Sequence, residues 1–188
     1  MDTKELQDKL FRALEGKEDY TIEDFYKELE NKNIKNDSYK INLKFVNKSN
    51  NPNPEYSSEF ASGFDIRAYI PDGKPITLKA RGKAIIETGL SFDIPNNMEI
   101  QIRSRSGLAY KNGVICHWGT VDSDYLGEVK LILFNLGEED FIINNGDRMA
   151  QGVLAGCMNK QLVDLECVKE IIKETERAGN GFGSTGIQ

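Results

Sequence analysis

The sequence has few of the residues that build metal centres and disulfide frameworks. Its 188 residues include three cysteines, Cys116, Cys157 and Cys167, and a single histidine, His117. An odd number of cysteines without Cys-x-x-Cys spacing, beside one histidine, supports neither a zinc site nor a disulfide scaffold, so the thiols read as buried or idle ones in a reducing cytosol. No apolar run approaches the roughly 20 residues that cross a bilayer. The charged start, Met1 to Lys9, is not a signal peptide, and a cytoplasmic protein is expected. Basic excess is also missing: 24 Lys and Arg stand against 30 Asp and Glu, a formal net charge of -6. With a sequence pI near 5.0, the chain is not built to wrap the phosphates of a nucleic acid polymer. A small phosphate ligand stays open, because a few locally gathered cations suffice for it. No Gly-x-x-x-x-Gly-Lys-Ser/Thr stretch occurs, which excludes a P-loop enzyme.

What is present describes a soluble globular chain, 39% hydrophobic and 29% charged, long enough for one domain with an appendage. Leu6, Leu10, Ala13 and Leu14 share a helical face behind Asp2 or Thr3 as cap, with Gly16 as the stop. Ile22, Phe25, Tyr26 and Leu29 repeat at the same spacing behind Thr21. Both helices are too short to stand alone in water, so their apolar stripes need a partner surface. At Tyr39 the period drops to two, through Ile41, Leu43 and Phe45, which predicts a half-buried strand. Residues 47–58 form an Asn, Pro and Ser linker. Short strands are then expected at 64–70, 76–80, 84–86, 90–94, 98–102, 129–134, 141–143, 149–154 and 162–168. Turns at Pro71-Asp72-Gly73, Pro95-Asn96-Asn97 and Asn144-Asn145-Gly146-Asp147 punctuate them, an all-β sandwich or barrel pattern. The Gly-rich end from Arg177 to Gln188 lacks periodicity and is expected to be a mobile arm.

Five stretches stand out against this background. Residues 119–129 read Gly-Thr-Val-Asp-Ser-Asp-Tyr-Leu-Gly-Glu-Val, with Asp122, Asp124 and Tyr125 crowded among turn formers and strand formers on either side, a pattern expected at the mouth of a hairpin. An ordinary solvated turn uses the same residues. In Ala61-Ser62-Gly63-Phe64-Asp65-Ile66-Arg67-Ala68, Asp65 and Arg67 fall on one side of a strand. Arg103-Ser104-Arg105-Ser106-Gly107-Leu108-Ala109 offers guanidinium groups for bidentate bonds to phosphate, and a hydroxyl and a backbone N–H beside Gly107 to complete a cradle. The fourth stretch is Gly146-Asp147-Arg148-Met149-Ala150-Gln151. In the last, Arg177 to Gly186, Phe182 can stack on a base while Arg177, Ser184 and backbone amides reach phosphates.

Taken in chain order the five stretches resemble the five motifs of the trimeric dUTPase family, over about Ile41 to Gly186. The resemblance implies an all-β, distorted jelly-roll-like barrel over residues 39–172, a helical extension over 1–38 that lies outside it, and a flexible arm over 173–188 that closes the active site. It implies hydrolysis of dUTP to dUMP and pyrophosphate, which limits uracil incorporation into DNA and supplies dUMP for dTMP synthesis. Mg2+ is held by the triphosphate and water rather than by a protein cage, a mode that suits this ion. By the same resemblance Asp122 activates the attacking water, a role that spacing alone does not separate from Asp124, which is left to hold the turn. Tyr125 lies under the deoxyribose, the backbone of Thr120 and Val121 reads uracil, and Lys130 falls near the sugar and phosphates. Arg105, Ser106 and Gly107 take the triphosphate, with Ser106 near the oxygen that leaves with pyrophosphate, where developing charge needs stabilising. Gln151 contacts phosphate, Arg148 and Asp65 support the site and the metal's water, and Arg177, Phe182, Gly183 and Ser184 close it. Family sites lie between subunits, so a homotrimer with three sites is expected.

The chain departs from the family pattern at a few positions. Ser104 replaces the usual proline, which is expected to loosen the turn slightly. Ala178 and Asn180 replace glycines, and bulky His117 and Trp118 precede Gly119 and bear on the shape of the uracil pocket. dCTP deaminase shares the fold, but its counterpart of the third motif has Pro-Gly where Ser123-Asp124 stands here. A regulatory binding protein on the same scaffold, with the extension as partner surface, is the alternative of another class.

Overall fold

The computed structural model describes residues 3–14, 20–31, 41–171, 175 and 178. At the N-terminal end lie two helices, α1 (Thr3–Leu14) and α2 (Ile22–Asn31). Thr21 caps α2 as its sequence predicts: its hydroxyl accepts the Asp24 N–H at 3.1 Å, and the Asp24 carboxylate accepts the Thr21 N–H at 3.0 Å. This reciprocal pair satisfies donors that the first helical turn leaves unpaired. Lys9 of α1 reaches Glu28 of α2 at 2.6 Å, and the Tyr20 hydroxyl donates to the same carboxylate at 2.7 Å. Ala13 and Phe25 are buried. The expected stop at Gly16 and the strand start at Tyr39 fall outside the described residues.

The strands are β1 (Lys44–Asn47), β2 (Phe64–Arg67), β3 (Ile76–Leu78), β4 (Lys83–Ile86), β5 (Leu90–Asp93), β6 (Met98–Ser104), β7 (Val114–Cys116), β8 (Gly119–Val121), β9 (Leu131–Asn135), β10 (Phe141–Ile143) and β11 (Arg148–Gly156), with a short helix α3 (Ser106–Asn112) after β6. They pair antiparallel as β2-β11-β6-β8, β4-β9-β7, β1-β5 and β3-β10. Alternation explains which face closes on the core: Met98, Ile100 and Ile102 of β6 are buried while Glu99, Gln101 and Arg103 face outward. Phe64, Ile66, Leu131, Leu133, Ile143 and Met149 fill the same core. The architecture is the expected all-β, jelly-roll-like one.

Four expectations change. The strand predicted from Tyr39 is seen only from Lys44 to Asn47; Ile41 and Leu43 pack on the core without being in it. Residues 162–168 form no strand. Leu162 and Val163 turn back onto the Asn159 carbonyl, and Leu165 is 97% exposed, so apolar alternation without a neighbouring strand edge produced no ladder. The Arg105-Ser106-Gly107 turn opens α3, which ends at Gly113 in the left-handed region (φ 65°), where glycine carries no Cβ penalty. Finally, residues 119–129 are not a hairpin. β8 belongs to the four-stranded sheet and β9 to the three-stranded one, so this loop crosses between sheets.

Candidate active site

Asp65 sits on the outward face of β2, half-buried, opposite Gln151 of β11, which in turn faces Arg103 of β6. Two arginines from separate elements converge on its carboxylate. Arg105, the residue before α3, pairs through Nε at 3.2 Å with one oxygen, and Arg148 of β11 pairs through Nη1 at 3.0 Å with the other. Arg105 also donates from Nη1 to the Arg148 carbonyl at 2.9 Å. Each guanidinium is thereby oriented while N–H groups remain for a ligand, which is what a planar five-donor fork allows. Gln151 donates from Nε2 to the Ser104 carbonyl at 3.1 Å. Ser106 and Gly107 follow, both exposed. Apart from its chain neighbours and its own helix backbone, no heavy atom lies within 4 Å of where a Cβ on Gly107 would stand. Asp65, Arg105, Ser106, Gly107, Arg148 and Gln151 are thus gathered by the meeting of β2, β11 and the end of β6. Arg67 turns instead to the Gly146 carbonyl, at 2.9 Å.

A second group gathers on the 119–129 loop. Thr120 and Asp122 are exposed and Val121 is buried beneath them. The turn closes through the Tyr125 N–H onto the Asp122 carbonyl at 3.1 Å and the Tyr125 hydroxyl onto the Glu128 carbonyl at 2.9 Å. Ser123 donates to the Asn96 carbonyl at 3.3 Å. Ser123 and Tyr125, rather than Asp124, make these closing bonds. A Cβ at Gly127 would lie 2.7 Å from the Tyr125 ring, so the ring rests on glycine backbone. The return arm is gripped from outside. Glu128 accepts the N–H groups of Thr88 and Gly89 at 3.0 and 2.9 Å, and buried Thr88 donates to the Val129 carbonyl at 2.5 Å. Lys130 pairs with Glu87 at 3.1 Å, and that hydrogen-bonded carboxylate raises the lysine's pKa.

Asp122 and Asp124 border a cavity of about 400 Å³ with Asn96, Cys157, Asn159 and Lys160. Asn159 donates to the Asn96 carbonyl at 2.6 Å, holding the chain after β11 over this space. Cys157, Asn159 and Lys160 belong to none of the five stretches, and the polar Asn159-Lys160 pair after β11 is the sequence feature that marks them. None of the residues around Asp65 lines this cavity, so the site residues fall into two groups. Trp118 is 78% exposed and borders a separate cavity of about 490 Å³ with Glu99, Gln101, Arg103 and Thr120. Burial pushes the Cys116 thiol up to about 11, which keeps it protonated and inert. Burial also raises the Cys157 thiol, with smaller contributions from Glu99 and Asp122. Arg177, Asn180, Phe182, Gly183 and Ser184 lie outside the described residues. Ala178 has φ 44°, the left-handed region its replaced glycine would enter freely. Among the described residues no helix is long and apolar enough to cross a membrane.

Fold and site together define a jelly-roll-like β-protein in which two arginines from separate elements converge on one carboxylate at strand ends. A sequence model of the family described as dUTPase matches residues 49–186, and the chain belongs to the dUTPase family. It is 51% identical over 138 residues to the deoxyuridine 5'-triphosphate nucleotidohydrolase of Caulobacter vibrioides (strain NA1000 / CB15N), covering 72% of this chain and 86% of that one. It is 44% identical over 148 residues to the enzyme of the same name from Finegoldia magna, covering 78% of this chain and 99% of the relative. Among solved structures it resembles Staphylococcus bacteriophage 80alpha dUTPase with dUPNHPP, with a TM-score of 0.67 and 23% identity over 79% of this chain and all of that one. It also resembles a mutant dUTPase from phage phi11 of S. aureus, described as coordinating a structural Mg(II) ion, with a TM-score of 0.62 and 21% identity over 71% of this chain and all of that one.

Proposed function

We propose how these residues carry out the hydrolysis of dUTP to dUMP and pyrophosphate, the activity that membership of the dUTPase family gives this chain. The convergence of Arg105 and Arg148 on Asp65, beside the opening of α3, is the observation that carries the reading. The triphosphate lies against the outward N–H groups of both guanidiniums, the amide of Gln151 and the Ser106–Gly107 backbone. Open space at Gly107 supports this, since a side chain there would stand where a phosphate approaches. Asp122 takes a proton from water as it attacks the α-phosphorus, the P–O bond to the β-phosphate breaks, and pyrophosphate carries away the electron pair. Ser106 donates a hydrogen bond to that leaving oxygen, where negative charge grows. Tyr125, held flat on Gly127, supports the deoxyribose and leaves no room for a 2'-hydroxyl. The backbone of Thr120 and Val121 reads uracil, and Lys130 balances charge near the sugar.

Both oxygens of Asp65 face guanidiniums. This leaves it suited to accept a hydrogen bond from the water shell of Mg2+ rather than to ligate the ion, whose oxygen ligands come from the triphosphate and water. When bound, magnesium neutralises the phosphates and orients them. Arg177, Phe182, Gly183 and Ser184, from the arm at 173–188, close over the nucleotide.

None of the residues around Asp65 lines the cavity beside Asp122, which accords with sites completed by neighbouring copies of the chain, in the homotrimer with three shared sites that the family resemblance implies. Three free cysteines, Cys116, Cys157 and Cys167, accord with a reducing cytoplasm. A panel of dUTP, dTTP, dCTP and UTP with Mg2+ and pyrophosphate detection tests the reading. dUTP is expected to be turned over far faster than the others; equal rates would remove the roles given to Tyr125 and the uracil-reading backbone.

A further inference from the structure

Residue 104, where the family usually has proline, is a serine bonded on several sides. Its hydroxyl donates to the Cys116 carbonyl at 2.8 Å and accepts the Cys116 N–H at 3.0 Å. Its own carbonyl accepts from Gln151 at 3.1 Å. β6 pairs with β8 only over Ile100 to Ile102. At Ser104 it has therefore run past its backbone partner on that side. The hydroxyl supplies the missing pair, one donor and one acceptor, to a strand of the other sheet. Cys116 is 2% exposed and pairs with Leu133 on its far side, so without the hydroxyl a buried N–H and C=O lose their partner. The expected loosening from loss of proline is thereby offset by a bond that proline could not make.

We propose that the Ser104 hydroxyl is a positioning residue for the triphosphate cradle. It fixes the direction in which the chain leaves β6, and so the aim of Arg105 and Ser106. It fixes them relative to β7, the strand that runs on through His117 and Trp118 into the Asp122 loop. The inference rests on the reading that Arg105 and Ser106 receive the triphosphate. A misplacement near 1 Å can cost on the order of 100-fold in rate, and loss of one tether among several is expected to cost about a tenth of that.

The test measures kcat and KM for dUTP, together with binding of the imido analogue dUpNHpp and of dUMP, in Ser104→Ala, Ser104→Cys and Ser104→Thr. Thiol is a weak donor and acceptor of similar shape, so Ser104→Cys keeps the test valid should Ser104→Ala fail to fold. Ala and Cys are expected to lower kcat/KM about 10-fold and to weaken dUpNHpp, with dUMP binding unchanged because it lacks the β- and γ-phosphates. Ser104→Thr is expected to stay within about 2-fold, since its hydroxyl restores the bridge. Wild-type kinetics in Ala and Cys, equal losses in all three, or parallel losses for dUpNHpp and dUMP would each overturn the proposal. Ser106→Ala serves as the separate control: an unchanged rate there sinks the cradle reading itself, whereas a slow Ser106→Ala beside normal Ser104 variants sinks only this inference.

Discussion

Asp122, the proposed general base, stands on a turn closed through its own carbonyl and through bonds of Ser123 and Tyr125, and its carboxylate is exposed. Asp122→Asn is therefore expected to bind dUpNHpp normally and to turn over dUTP at least ~100-fold more slowly, the scale of a lost general base. Retained turnover in single-turnover assays would move the role to another residue. Asp65 is the opposite case: its carboxylate pairs with two arginines. Residue spacing singled out the stretches that hold Asp122 and Asp65. It could not show that Asp65 joins Arg105 to Arg148, because partners 83 residues apart meet only through strand pairing. The same holds for Ser104, whose hydroxyl counts only because Cys116 is brought opposite it.

Elements were legible where burial dictated them. Residues 141–143 alternate against a full core and form β10 as read. Residues 162–168 carry a similar pattern with no edge to pair on, and α3 opens on Ser106-Gly107 and ends on Asn112, residues that propensity disfavours in helices. The 119–129 loop crosses between two sheets where its turn formers predict a hairpin. Its return arm is held by the turn between β4 and β5, where Thr88, 1% exposed, bonds both the Val129 carbonyl and the Leu90 N–H. Thr88→Val keeps the shape and strands two buried backbone groups. It is expected to cost about 1–3 kcal/mol in urea unfolding and to lower kcat as Asp122 loses its footing. Unchanged stability and rate would show that Glu128 alone anchors the arm.

At the scale of the whole molecule, none of the residues around Asp65 lines the cavity beside Asp122, and the proposed trimer would complete each site from a neighbouring copy. Mixing unfolded Asp122→Asn and Ser106→Ala chains and refolding them together is expected to restore about a quarter of sites, since each half can come from an intact chain in a closed symmetric assembly. Activity no higher than the sum of the separate variants would place both halves in one subunit. The helical extension lies outside the family match at 49–186, yet it carries its own cap and a Lys9–Glu28 ion pair, so its fold owes little to the motifs. The Asp122 loop has one foot on the β8 sheet and the other on the β9 sheet, like a bridge between two plates. A small slip of one plate on the other breaks no bond within either, yet it shears the span between Asp122 and the Glu128 anchor. With Asp122 in its proposed role, turnover is expected to be a gauge of inter-sheet alignment, falling with damage that strand content alone does not register.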